Sequence, residues 1–91
     1  MIAVNYEKID VLADELDKER KELNNHMKNI GSIMDMLPMF WNSDLCSKYL
    51  NEYSDREKDV RKMIHLLEDM SRNMKSISKY CRELKEQQSP K

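Results

Sequence analysis

The sequence predicts an all-α fold: an antiparallel two-helix hairpin that pairs with a second hairpin into a four-helix bundle. Three observations lead there. Gly and Pro together number three in 91 residues, Glu, Lys, Leu, Met and Asp dominate, and β-branched residues are sparse, which favours helix. Apolar side chains recur every seven residues in two separate segments. Between them lies the stretch Leu37-Pro38-Met39-Phe40-Trp41-Asn42-Ser43-Asp44, which holds the only Phe and the only Trp.

The first element is a helix over about residues 4–37. Ile2, Ile9, Leu16, Leu23, Ile30 and Leu37 fall in one row, and Ala13, Met27 and Met34 follow members of it four residues later. That makes one apolar stripe about 45 Å long. The second element is a turn over about 38–43. Pro38 disfavours α geometry at Leu37 and is expected to end the helix there. Ser43 or Asn42 can cap the next helix, with Asp44 at the positive end of its dipole. The third is a helix over about 44–86. Cys46, Tyr53, Val60, Leu67, Met74 and Cys81 repeat every seven residues, and Tyr49, Met63, Met70, Ile77 and Leu84 stand three residues on. This double row reads as the a/d seam of a coiled coil. A polar tail, 87–91, is expected to fray.

A connection this short makes the helices antiparallel neighbours with seams facing each other. Residues 1–91 then form a single helical-hairpin domain. Leu45, Leu50, Ile64, Leu66 and Tyr80 flank the second seam and widen it beyond what one facing helix covers. Each is worth about 1.5–3 kcal/mol if fully buried, so they form the candidate partner interface. A small chain also has a marginal core of its own. The partner expected is another helical hairpin, giving a homodimer or a heterodimer.

Composition excludes several classes. Sixteen basic against 17 acidic residues, mixed along the chain, leave a formal charge of -1, unlike the concentrated positive surface that nucleic acid or anionic membrane requires. No apolar run reaches the roughly 18 residues of a membrane span, and MIAVNYEKID lacks the basic-then-apolar order of a cleavable secretory signal. No Gly-rich phosphate loop, Ser/His/Asp set or carboxylate pair points to catalysis, and no enzyme activity or cofactor is expected. Cys46 and Cys81, about 50 Å apart on one helix, cannot form an intrachain disulfide and read as small buried hydrophobes. His26 and His65 do not converge with them, so no metal site is expected.

Arg56 is the charged residue in the second seam. It either forms a polar layer that fixes register, near Asn24 and Asn25, or snorkels to the edge of the stripe. Asp14 to Lys18, Asp17 to Lys21, Glu52 to Arg56 and Glu57 to Arg61 have i,i+4 spacing, worth tenths of a kcal/mol each. Phe40 and Trp41 read either as a plug for the turn end of the hairpin or as part of a recognition motif with Asn42 and Ser43.

Two long helices around a central Trp motif resemble the WXG-motif family, the early-secreted-antigen-like substrates of type VII secretion. The resemblance covers nearly the whole chain as a pattern of hairpin, turn and seam. Trp41-Asn42-Ser43 has Ser where the family has Gly, a mild change at a helix N-cap but a strained one where φ is positive. The Tyr-x-x-x-Asp/Glu signal that many members carry after the second helix is missing: Leu84 stands four residues after Tyr80, and Tyr53 with Glu57 lies early in the second helix. The resemblance implies a small protein exported as a helical dimer without a cleavable signal and recognised at its turn by the export ATPase. An alternative is a cytosolic adaptor or chaperone that pairs with the targeting domain of a larger secreted toxin. A third reading is a generic coiled-coil scaffold.

Overall fold

The computed structural model describes residues 4–88. It contains two helices, α1 (Tyr6–Phe40) and α2 (Asp44–Gln88), folded back on each other. Asn5 caps α1, its side chain accepting a hydrogen bond from the Lys8 N–H at 3.1 Å. Ile2 and the last three residues of the polar tail lie outside the described residues, while residues 87 and 88 continue α2.

Pro38 does not end α1. The helix runs through it to Phe40, and the Trp41 N–H still donates to the Leu37 carbonyl at 2.9 Å. The physical reason is position: in the last turn, a proline forfeits one ladder bond without interrupting a long stretch of helix beyond it.

The seam between the helices also differs from the a/d expectation. In α2 the row Cys46, Tyr53, Val60, Leu67 and Met74 does face α1, with Cys46 buried and the rest half-buried. Its companions, however, are the residues four positions on. Leu50 is half-buried, and Ile64, Ser71 and Ser78 are buried. Tyr49, Met63, Met70 and Ile77 are instead between 44% and 53% exposed, and Leu84 is half-buried. In α1, Ile9, Leu16, Leu23, Met27, Met34 and Leu37 are half-buried around the fully buried Ala13, while Ile30 is exposed.

Small side chains explain the rotation. The Ser71 hydroxyl donates to the Ala13 carbonyl at 3.1 Å and the Ser78 hydroxyl to the Tyr6 carbonyl at 3.0 Å. Such bonds to backbone require close approach of the two helices, which Met and Tyr at the same positions would block. Both buried hydroxyls are thereby satisfied.

Candidate interaction surface

Rotating the seam sorts the rest of each helix into two flanks. Each has its own chemistry.

One flank is charged. Lys75 reaches Asp14 at 2.7 Å and Asp10 at 3.9 Å, Arg82 reaches Asp10 at 2.9 Å, and Arg20 bridges Asp17 at 2.8 Å and Glu68 at 3.8 Å. Arg82 and Lys85 also sit over the Tyr6 ring. Asp14 thus pairs across the hairpin with Lys75, whereas Asp17–Lys21 and Glu57–Arg61 form as the spacing suggests. Hydrogen bonds from Arg20 and Lys21 hold the Asp17 carboxyl below its ordinary pKa of 3.8. Its contribution to stability is therefore present above that value and lost as pH falls through the lowered one. The hydrogen bond to Asp14 raises Lys75 above 10.5, so its contribution holds below that value and is lost as pH rises through the raised one.

The other flank is apolar. Leu12 and Leu16 of α1 and Met70 and Met74 of α2 line one shallow groove, rimmed by Glu15, Lys18 and Glu19. Tyr49, Met63 and Ile77 continue the same row of α2, and Ile33 and Phe40 continue that of α1; all are exposed. Leu45, Leu66 and Tyr80 are exposed as well. Leu50 and Ile64 are not available to a partner, because they pack against α1. Arg56 is likewise corrected: it is exposed, in the outward row between Tyr49 and Met63, and forms no buried layer inside the hairpin.

At the turn, Ser43 caps α2. Its Oγ accepts from the Cys46 N–H at 3.1 Å and its carbonyl from the Ser47 N–H at 3.1 Å. No described residue has a positive φ, so Ser in place of Gly costs no backbone strain here. Trp41 packs against Tyr49 with ring centroids 6.2 Å apart and remains 38% exposed. Phe40 is 79% exposed and does not plug the hairpin end. Asn42 is exposed.

Both thiols are free; Cys46 is buried and Cys81 half-buried in the seam. Among the described residues no cluster of His, Cys, Asp and Glu has the geometry to hold a metal ion, and no helix is long and apolar enough to cross a membrane. Sequence reasoning missed Ser71, Ser78, Leu12 and Ile33. The signal for the last two is their spacing with Phe40, by multiples of seven.

A family model described as proteins of 100 residues with WXG, the WXG100 family, matches residues 1–84. No curated protein and no solved structure matches the chain. The family match spans nearly the whole sequence, and the chain belongs to the WXG100 family, small helical proteins associated with type VII secretion.

Proposed function

Because this chain is a WXG100 protein, we propose that it is a type VII secretion substrate exported as a helical dimer, acting by association rather than catalysis. The observation that carries this reading is the apolar flank, with Leu12, Ile33, Tyr49, Met63, Met70 and Ile77 all exposed on the lone hairpin. Covering them with another hairpin removes from water an area that water otherwise penalises at about 25 cal/mol per Å². The partially exposed Trp41, beside the exposed Met39 and Phe40, supports a second role for the turn as a docking point for the export ATPase.

A second reading has its own support. Leu84 follows Tyr80 where the tail signal of many members has an acid, and Tyr53 and Glu57, the pair with correct spacing, are half-buried near the other end of α2. A chain lacking that signal suits an adaptor that pairs with the targeting helices of a larger toxin, the signal being supplied by the partner.

Trp41→Ala tests the turn. The variant is expected to keep wild-type helicity and oligomeric state while its amount in the culture medium of the native host drops at least tenfold. Export at wild-type level would remove the turn from recognition. Retention of the wild-type chain inside the cell, bound to a larger toxin, would favour the adaptor.

A further inference from the structure

The fold sorts the methionines by access. Met39 is 77% exposed, Met36 54%, Met63 50% and Met70 44%, whereas Met27, Met34 and Met74 are half-buried. A thioether is oxidised as readily as an oxidant reaches its sulfur, so the first four are the reactive ones. The thiols are less open, Cys46 being buried and Cys81 half-buried.

Place divides the exposed four again. Met63 and Met70 stand seven residues apart in the row of α2 that forms the apolar flank, and Met70 lines the groove with Leu12 and Leu16. Met36 and Met39 follow Ile33 by three and six residues, which by helical spacing sets them outside the row that Ile33 and Phe40 share. Two reactive sulfurs therefore belong to the flank and two do not.

We propose that Met63 and Met70 are modification sites, converted to methionine sulfoxide by a peroxide, and that the two sulfoxides switch off binding through the apolar flank. The sulfur lone pair attacks one oxygen of hydrogen peroxide and the O–O bond breaks as the S–O bond forms. Sulfur gives up two electrons, and the departing hydroxide takes the proton of the transferred oxygen and leaves as water. Each sulfoxide sets a strong acceptor in an apolar row, where covering it without a donor is costly. Binding and oxidation thus exclude each other: a covered sulfur is out of reach, and an oxidised one resists covering. Sulfoxide reductases reverse the change.

The proposal rests on the dimer reading above, and its test keeps the two apart. The full chain is treated with hydrogen peroxide at low and at high protein concentration, and peptide mass spectrometry follows each methionine. Met63 and Met70 are expected to oxidise at least tenfold more slowly in the concentrated sample, with Met36 and Met39 unchanged as internal references. By light scattering the oxidised chain is expected to have a dissociation constant at least tenfold higher. Dithiothreitol, which reverses thiol oxidation, is expected to leave that rise in place, and methionine sulfoxide reductases to remove it. Met63→Leu/Met70→Leu keeps the row apolar at similar volume and is expected to stay associated at the same peroxide dose, while Met36→Leu/Met39→Leu is expected to dissociate as wild type does. Oxidised wild type that associates like untreated protein, or a Met63→Leu/Met70→Leu chain that remains sensitive, overturns the proposal. A wild-type chain that is monomeric before oxidation counts against the dimer reading instead. The flank is then read by its affinity for an apolar fluorescent dye, expected to fall on oxidation in wild type and to hold in Met63→Leu/Met70→Leu, and equal falls in both overturn the proposal.

Discussion

Ser43 decides how the turn is built. Its side chain takes an otherwise unsatisfied N–H of the first turn of α2, so Ser43→Ala is expected to cost about 1 kcal/mol and Ser43→Gly only a few tenths. Denaturant unfolding of the three proteins checks that order. A Gly variant more stable than wild type would instead mean that the position needs a positive φ. The cap was legible in the sequence only to within two neighbours, Ser43 or Asn42, since either side-chain oxygen can serve just before an apolar row. The fate of Pro38 was not legible, since the bias against helix before proline is a preference that the last turn of a long helix overrides. Arg56 misled for a related reason: its position in a row of seven is visible, but which row faces inward is a property of the packed pair.

At the scale of the helix, the sequence revealed two amphipathic rods and their antiparallel pairing, but not their rotation. The row four residues after Cys46 and its repeats reads Leu50, Glu57, Ile64, Ser71 and Ser78. It holds fewer large apolar side chains than the row Tyr49, Arg56, Met63, Met70 and Ile77. Packing reverses the choice, because hydroxyls that bond to a facing carbonyl lose little on burial and their small volume lets the backbones close up. The candidate interface consequently exchanged members: Leu50 and Ile64 moved inward, and Tyr49, Met63, Met70 and Ile77 moved out. Ser71→Leu tests this directly. Although it makes α2 more apolar, the added carbons have no space beside Ala13, and the variant is expected to be destabilised by about 1–3 kcal/mol. Thermal unfolding reads the effect, and a stabilised variant would restore the a/d seam.

The whole molecule is a plate measuring 73 × 21 × 13 Å with a radius of gyration of 20.7 Å, far above the roughly 12 Å of a compact domain of this length. Among the described residues the buried apolar side chains are Ala13, Cys46 and Ile64, a small core against the chain entropy lost by 80-odd ordered residues at about 1 kcal/mol or more each. Backbone hydrogen bonding within long helices lessens that cost but does not remove it. On the proposed dimer reading, association supplies part of the folding free energy, so that folding and pairing form one equilibrium. For such a system dilution destabilises: each tenfold fall in concentration removes about 1.4 kcal/mol from the dimer. The melting temperature of the wild-type chain is expected to fall steadily across a hundredfold dilution, followed by circular dichroism. A melting temperature independent of concentration would mean that the lone hairpin stands unaided, with the apolar flank left to some purpose other than holding the fold together.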